Sequence, residues 1–452
     1  MLLAASLDTG DSAWLMTSTA MVLLMTPGLA FFYGGMVRTQ HVLVMLKMSF
    51  ACLALVTLLW LAVGYSLAFG PDIGAGLLGN LDHVFFRGVG MNELHNTIPA
   101  TVFACFQMSF AIITVALISG SIAGRATMRG WLVFVVVWAL LVYVPMAHWV
   151  FAPDGWIQAD LGALDFAGGL PVELNSGAAG LAVAIALRKR RDFERQPIRP
   201  HNLPLVVIGL ALLWFGWFGF NAGSALQDAG GAPTAFLNTQ LAACAAMIGW
   251  PIVERFQHGK VEMLGVASAA VAGMVAITPA CGEVSSLGAV CIGFTAGVVC
   301  AFAINLKYRI GVDDTLDVVG VHGWGGIVGV LSIGFFATAA MSGKKGLFYG
   351  GGLDLLWRQA VAVLACGTYS FVVTWLIAKA IDGTVGFRTR EEYEDVPGRE
   401  EEIAYDNATL DEIQARLDAP HATATVAVAD RRDETGLLSD VLHVLERRER
   451  EK

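Results

Sequence analysis

Two stretches of the sequence share one pattern: Val172-Glu-Leu-Asn-Ser-Gly-Ala-Ala-Gly180 and Val321-His-Gly-Trp-Gly-Gly-Ile-Val-Gly329. In each stretch an ionisable residue follows a valine, and glycines stand four and seven positions after that residue. Both stretches lie inside apolar runs, and a charged group at the centre of a bilayer costs at least about 2.5–3.5 kcal/mol. Because ionisable residues at such depth usually face a cavity or pair with each other, we expect Glu173 and His322 to meet inside a membrane domain.

The composition of the whole chain is that of a membrane protein. Of 452 residues, 56% are hydrophobic and 15% are charged, whereas soluble globular chains carry about 25% charged residues. These values exclude an ordinary soluble enzyme, a disordered chain and a basic nucleic-acid binder. Acidic and basic residues balance up to residue 381, and residues 382–452 carry the whole net charge of −9. We therefore predict a membrane domain over residues 1–381 and an acidic cytoplasmic tail over residues 382–452.

Apolar runs long enough to cross a bilayer, about 20 residues each, occur eleven times. They cover residues 12–37, 42–69, 98–122, 131–151, 170–187, 203–223, 234–253, 263–281, 285–305, 315–339 and 354–380. The two glycine-spaced stretches fall in the fifth and tenth runs, so the runs divide into two repeats of five and one long final helix. An odd number of helices inverts the second repeat relative to the first, a plan known among transporters. We predict an all-α, polytopic membrane protein with eleven transmembrane helices.

The orientation of these helices is predicted by the positive-inside rule. The odd-numbered loops between the runs hold 13 lysines and arginines, and the even-numbered loops hold 3. This bias places the C-terminus in the cytoplasm and the N-terminus outside. Within the tail, Leu438, Leu442 and Leu445 predict a terminal amphipathic helix, which is either a solvated end or a connector to a signalling domain.

The ionisable residues have structural as well as functional interpretations. Glu173 and His322 are either a structural hydrogen-bonded pair or a proton acceptor and donor, and the second is favoured for intramembrane groups. Asp165 is expected to cap the fifth helix and to act on a cation only indirectly. The same helix-end role is expected of three aspartates before the tenth helix, Asp313, Asp314 and Asp317. Seven scattered cysteines, none in a CxxC pair, predict neither a metal site nor a cofactor.

From about residue 11 to about residue 390, the chain resembles the ammonium transporter family (Amt/Mep/Rh). The segments that carry the resemblance are Thr26-Pro27-Gly28…Phe32-Tyr33-Gly34-Gly35, Asp165-Phe166-Ala167-Gly168-Gly169, Gly216-Trp217-Phe218-Gly219-Phe220-Asn221-Ala222-Gly223-Ser224, Thr278-Pro279-Ala280-Cys281-Gly282 and Asp313-Asp314…Asp317-Val318…Val321-His322-Gly323. The resemblance implies the ammonium transporter fold, assembled as a homotrimer in the lipid bilayer of the cell (inner) membrane. It also implies ammonium or ammonia as substrate, methylammonium as an analogue, and a PII-type signal-transduction protein at the cytoplasmic face.

The resemblance further implies roles for individual side chains. These residues are Phe106, Phe110, Phe151, Ser224 and Asp165 for an outer ammonium site, Phe110 and Phe220 for a stacked gate, Trp217 and Thr278 for the pore lining, and Glu173 and His322 for a proton relay. Phe151 stands where the family usually has tryptophan, and Trp149 is a candidate to replace it. Glu173 stands where the family usually has the first of two pore histidines, a replacement that some fungal members share.

Ammonium and potassium are similar in size and charge, but only ammonium can give up a proton before it crosses a dry constriction. We therefore expect an ammonium transporter in which Glu173 and His322 accept and relay that proton while ammonia passes. The main alternative is an ammonium sensor that signals through its C-terminal extension, and a Rhesus-type gas channel is a further one. An enzyme is not expected, because the sequence shows no nucleophile–base set and no metal-ligand cluster.

Overall fold

The computed structural model describes residues 6–191, 193 and 199–389, which form a bundle of apolar helices. Among these residues, ten helices are long and apolar enough to cross a membrane, and Met263–Ile277 is apolar but only 15 residues long. In chain order the eleven helices are α1 Thr9–Met36, α2 Thr39–Phe69, α3 Ala100–Ile122, α4 Met128–Phe151, α5 Gly169–Ala186, α6 Leu203–Gly223, α7 Gly231–His258, α8 Met263–Ile277, α9 Ser286–Ile310, α10 Val319–Phe336 and α11 Asp354–Thr384. The protein is therefore a multi-pass, all-α membrane protein.

The predicted apolar runs and the observed helices differ by at most five residues at either end. The count of eleven crossings remains a prediction, because the 15 residues of α8 span about 22 Å of a hydrocarbon core that is about 30 Å thick. The inverted repeat also remains a prediction. Between α2 and α3 lie two short strands, β1 Leu94–His95 and β2 Ile98–Pro99. They pair antiparallel, with Leu94 opposite Pro99 and His95 opposite Ile98.

Helices α1 and α6 pack against each other through glycines. A Cβ added to Gly209 of α6 would lie 2.3 Å from the backbone nitrogen of Phe32, and one on Gly216 would lie 2.2 Å from Cγ of Met25. On α1, a Cβ on Gly35 would meet the backbone oxygen of Asn202 at 2.7 Å. Small residues allow this approach, which gives membrane helices their van der Waals contact in the absence of a hydrophobic driving force.

The outward faces of the bundle carry large apolar side chains. Phe256 is 86% exposed, Trp357 is 66% exposed and Leu364 is 67% exposed. Their exposure suits a surface that faces lipid, where apolar side chains incur no hydration cost. The bundle interior instead holds the aromatic residues Trp60, Trp131 and Trp138 in nearly complete burial.

The first residues of the predicted tail pack on α4. Phe387 is buried and its ring stacks on Phe134 at a centroid distance of 5.3 Å. The backbone nitrogen of Thr127 donates to the Phe387 carbonyl at 2.9 Å, and the nitrogen of Thr389 donates to the Arg125 carbonyl at 2.8 Å. The boundary at residue 382 remains a prediction, and the predicted terminal amphipathic helix lies outside the described residues.

Candidate functional site

The two ionisable residues of the glycine-spaced stretches meet in the interior of the bundle. Oε2 of Glu173 and Nδ1 of His322 are 2.7 Å apart. Glu173 is 1% exposed and His322 is 5% exposed. Each residue lies in a π-helical turn, over Gly169–Leu174 at the start of α5 and over Val319–Gly323 at the start of α10. Such turns are uncommon and occur frequently at functional sites.

The glycines of the two stretches bring the helices close enough for this contact. A Cβ on Gly177 would lie 2.2 Å from Cα of Gly323, and a Cβ on Gly326 would lie 2.8 Å from the backbone nitrogen of Leu174. Side chains larger than hydrogen would therefore push α5 and α10 apart. The sequence pattern that predicts the pair is thus also the pattern that allows the pair to form.

Aspartates hold the first turn of each of these helices. Oδ1 of Asp165 accepts hydrogen bonds from the backbone nitrogens of Gly168 and Gly169, both at 2.8 Å, and Oδ2 accepts one from Leu170 at 2.6 Å. Burial raises the pKa of Asp165 to about 6, although these three hydrogen bonds act to lower it. The capping role predicted for Asp165 is confirmed.

The corresponding aspartate before α10 is Asp314, which accepts hydrogen bonds from the backbone nitrogens of Val318 at 3.2 Å and Val319 at 2.8 Å. Its neighbour Asp313 forms an ion pair with Arg190 at 2.7 Å and lies 3.6 Å from Arg125. Burial raises the pKa of Asp313, but the two guanidinium groups outweigh burial and hold this pKa below its usual range. The predicted helix-end role is therefore observed for Asp314 as a cap and for Asp313 through ion pairs.

A narrow cavity lies beside the pair. Its volume is about 20 Å³, enough for about one molecule the size of water. Glu173 and His322 line it, and most of the remaining wall is apolar or aromatic, including Leu29, Ile113 and Leu213. Ammonia, with one heavy atom, fits this space.

Trp217 and Phe220 also line the cavity, whereas Thr278 does not. The hydroxyl of Thr278 accepts a hydrogen bond from Nε1 of Trp217 at 2.9 Å and donates to the carbonyl of Met274 at 2.8 Å. Thr278 therefore positions the indole that forms part of the wall. This contact satisfies the only polar hydrogen of Trp217 inside the bundle.

A pair of stacked rings adjoins the cavity, because one of the two, Phe220, lines it. The rings of Phe110 and Phe220 are 4.1 Å apart at an interplanar angle of 26°. Phe106 packs on Phe110 at 4.8 Å, and Phe151 meets it edge-on at 6.3 Å. Phe106, Phe110 and Phe220 are each 1% exposed, so a molecule that passes here must displace the rings. A stacked aromatic constriction of this kind excludes hydrated ions.

A second cavity, of about 320 Å³, is lined by three of the five residues assigned to the outer site, Phe151, Asp165 and Ser224. We call it the outer vestibule. Phe106 and Phe110 do not line it and lie in the buried ring stack. The hydroxyl of Ser224 donates to the carbonyl of Phe220 at 2.8 Å, which connects the vestibule to the ring stack.

Trp149 does not take the place of a tryptophan at position 151. Its Nε1 donates to the Leu77 carbonyl at 2.9 Å, and its ring packs on Tyr369 at 4.7 Å. Two residues along a helix rotate a side chain by about 200°, so residues 149 and 151 of α4 face different neighbours. The sequence expectation for Trp149 is therefore wrong.

The comparisons with known proteins agree with this architecture. A family model described as the Ammonium Transporter Family matches residues 13–407. The chain belongs to this family. It is 49% identical to an ammonium transporter of Mycobacterium tuberculosis over 418 residues, which cover 86% of this chain and 87% of that protein. It is 42% identical to ammonium transporter Amt1 of Archaeoglobus fulgidus over 399 residues, which cover 88% and 99%.

Solved structures of similar fold include fungal and sensor proteins. The crystal structure of Candida albicans Mep2 matches with a TM-score of 0.80 and 34% identity, over 86% of this chain and 88% of that one. A structure named Sensor Amt Protein matches with a TM-score of 0.79 and 28% identity, over 85% and 96%.

In this ammonium transporter family member, the sequence interpretation missed five polar residues that line the outer vestibule: His95, Asn96, Gln107, Gln158 and Glu283. Glu283 comes one residue after the quoted motif Thr278–Gly282, and Gln107 follows Phe106. Glu283 could have been found from the sequence, because it is a lone carboxylate in a short turn between two apolar runs and such a turn lies at one end of the helix bundle. Gln107 had no signal, since one amide in an apolar helix is common.

Proposed function

We propose that the chain is a membrane ammonium transporter that takes NH4+ from the outer vestibule, removes its proton near the stacked rings and conducts NH3 through the narrow cavity. The proton passes to the Glu173–His322 pair and is relayed inward. The observation that supports this proposal most directly is the 2.7 Å contact between Glu173 and His322 beside a cavity of about 20 Å³, adjoining the Phe110–Phe220 stack.

Selectivity follows from the cost of dehydration. A potassium ion that entered the ring stack would lose its hydration shell to apolar walls, at a cost of many kcal/mol. Ammonium avoids most of this cost when it leaves its proton behind, because neutral ammonia needs little solvation. A proton acceptor within the pore therefore supplies both the route and the discrimination.

The geometry of the pair suits proton transfer. A nitrogen and a carboxylate oxygen 2.7 Å apart share at least one proton. Nε2 of His322 has no hydrogen-bond partner within residues 6–191, 193 and 199–389. One ring nitrogen is thus engaged with Glu173 and the other is available to a molecule in the cavity.

The test is the ammonium-evoked current of the protein in proteoliposomes, with potassium as the comparison cation. We expect current with ammonium and none with potassium. Glu173→Gln keeps the size of the side chain but cannot accept the proton, so we expect at least about a tenfold lower current. Glu93→Gln, at an exposed carboxylate outside the pore, serves as the control. Unchanged current in Glu173→Gln, or a potassium current of similar size, would contradict the mechanism.

A second candidate function is ammonium sensing. It is favoured by the structural similarity to the Sensor Amt Protein and by the 63 residues that follow residue 389. Uptake of labelled methylammonium by cells that lack their own permeases separates the two functions. Robust uptake supports transport, whereas binding without uptake supports a sensor.

Assembly and topology are part of the same proposal. We propose a homotrimer in the cell membrane, with the N-terminus outside, the C-terminus in the cytoplasm and a PII-type protein as the partner at the inner face. Native mass measurement of the detergent-solubilised protein tests the trimer. Tag accessibility in intact and permeabilised cells tests the orientation.

A further inference from the structure

A buried glutamine of the last helix contacts both parts of the bundle that carry the Glu173–His322 pair. Gln359 lies in the second turn of α11 and is 0% exposed. Its Oε1 accepts a hydrogen bond from the backbone nitrogen of Leu164 at 2.7 Å, and its Nε2 donates to the Leu164 carbonyl at 2.7 Å and to the Val330 carbonyl at 3.2 Å. An amide carries two N–H donors, so both donors of Gln359 are engaged.

The backbone of Leu164 needs a partner of this kind. Leu164 lies between the π-helical turns Ile157–Leu161 and Gly169–Leu174, outside any helix. Its N–H and C=O are therefore not satisfied within a helix, and shielded backbone groups of this kind are normally paired with other groups of the protein. The amide of Gln359 takes the place of a second peptide group, and the adjacent Arg358 donates to the Leu161 carbonyl at 2.5 Å.

Leu164 leads directly into the turn that carries Glu173. The next residue, Asp165, caps this turn through Gly168, Gly169 and Leu170. On the other side of Glu173, the buried hydroxyl of Ser370 of α11 donates to the carbonyl of Asn175 at 2.9 Å. Helix α11 is thus hydrogen-bonded to the chain both before and after Glu173.

The third hydrogen bond of Gln359 reaches the helix of His322. Val330 lies in α10, eight residues after His322, and eight helical residues span about 12 Å. The two helices also pack closely at Gly334, where an added Cβ would lie 2.6 Å from Cα of Leu356 in α11. One amide of α11 therefore joins the helix that carries His322 to the segment that precedes Glu173.

We propose that Gln359 is a positioning residue for the Glu173–His322 pair. Its amide fixes the segment before α5 against α10 and so keeps the carboxylate and the imidazole 2.7 Å apart. A separation about 1 Å longer would no longer be a hydrogen bond, and a misplacement of about 1 Å can cost about 100-fold in rate. The inference rests on the proposed transport function and adds to it a residue that does not line the narrow cavity.

The first experiment is a double-mutant cycle on ammonium-evoked current in proteoliposomes. Gln359→Met keeps the length of the side chain but removes all three hydrogen bonds. We expect the maximal current to fall at least about fivefold, as for a small misplacement of reacting groups, with the half-saturating ammonium concentration unchanged. In the Glu173→Gln background, where the pair is already disabled, the same change should have little further effect, because both substitutions act through one pair. A structural role alone would lower the current by the same factor in both backgrounds.

The second experiment does not depend on the residual current of Glu173→Gln. The pH dependence of the current reports the protonation of the pair, so Gln359→Met should shift the pH of half-maximal current. A smaller amount of folded protein would lower the amplitude without moving that pH. Asp165 and Tyr33 also lie within electrostatic range of Glu173 and are present in both proteins.

Two further variants test the chemistry of the amide. A protonated carboxyl group at this position accepts from the Leu164 nitrogen and donates one hydrogen bond, so Gln359→Glu should recover part of the current that Gln359→Met loses. Gln240→Met is the matched control, since Gln240 of α7 accepts a hydrogen bond from Nε1 of Trp214 of α6 at 3.1 Å. It removes an interhelical glutamine contact elsewhere in the bundle, and its maximal current should equal that of wild type.

Each of three outcomes would overturn the positioning role. They are a wild-type maximal current in Gln359→Met, an equal fractional loss of current in the two backgrounds, and a lowered current whose pH of half-maximum equals that of wild type. In all three cases, ammonium current in wild type and its reduction in Glu173→Gln leave the proposed function intact. Absence of ammonium current in wild type would instead contradict the proposed function itself, so the two failures are distinguishable.

Discussion

Asp165 and Asp314 each lie eight residues before one member of the buried pair, Glu173 and His322 respectively, and each carboxylate accepts hydrogen bonds from the backbone of the turn that begins α5 or α10. The third residue after each aspartate also matches in backbone conformation, since Gly168 has a φ of +113° and Asp317 a φ of +62°. The helix starts that carry Glu173 and His322 are thus both held by an aspartate side chain that caps the backbone. Orientation of the pair depends on residues well outside it.

Removal of the Asp165 cap should destabilise the start of α5. We expect Asp165→Ala to destabilise the protein by about 0.5–2 kcal/mol, because three backbone nitrogens lose their acceptor. Thermal unfolding in detergent is the measurement. Asp354→Ala is the control, since Asp354 is an exposed residue in the first turn of α11 that pairs with Arg358 on the surface. Equal melting temperatures for wild type and Asp165→Ala would show that the cap is dispensable.

The contact between α5 and α10 should tolerate no added methyl group. We expect Gly177→Ala to cost about 1–3 kcal/mol or more and to reduce ammonium current, because its Cβ would lie 2.2 Å from Cα of Gly323. Gly383→Ala in α11 is the matched control, since nothing lies within 4 Å of its added Cβ. A Gly177→Ala variant with wild-type melting and current would contradict the described approach of the two helices.

The ion-pair cluster before α10 should be sensitive to loss of its negative charge. We expect Asp313→Asn to destabilise the protein by about 3–5 kcal/mol, because the buried guanidinium groups of Arg125 and Arg190 lose their counter-charge. Glu262→Gln, which breaks the exposed pair with Lys260, should change little. Expression level and melting temperature measure both variants. Similar values for the two would mean that burial adds nothing to the cluster.

Stability should depend on pH through Glu283. Its pKa is raised from 4.5 to about 7 in the folded protein, so the folded state binds more protons than the unfolded state between these values. The contribution of Glu283 to the free energy of unfolding is therefore largest below about pH 4.5 and is lost as the pH rises through about 7. We therefore expect Glu283→Gln to melt increasingly above wild type from pH 5 to pH 8. A constant difference across that range would contradict the pKa shift.

Much of the fold could be predicted from the sequence, because apolar runs of membrane helices are set by bilayer thickness. The Glu173–His322 pair was predictable for a related reason, since deep ionisable residues need a partner. The role of Thr278 could not be predicted in this way. Nothing in the sequence shows whether a threonine hydroxyl lines a cavity or holds the indole of Trp217 that does. The direction of the Trp149 side chain depends on its rotation about the helix axis, and the position of Glu283 depends on the path of the turn between α8 and α9. Neither can be read from the sequence.

The hydrogen-only side chains at residues 177 and 323 have a consequence for engineering. Because backbone touches backbone at this crossing, the distance between α5 and α10 cannot be tuned by exchanging one side chain for a slightly different one. A variant that admits bulkier amines must instead trim the cavity lining, at Leu213 or Ile113, while the crossing stays fixed. Substrate size and the proton path can thus be altered separately.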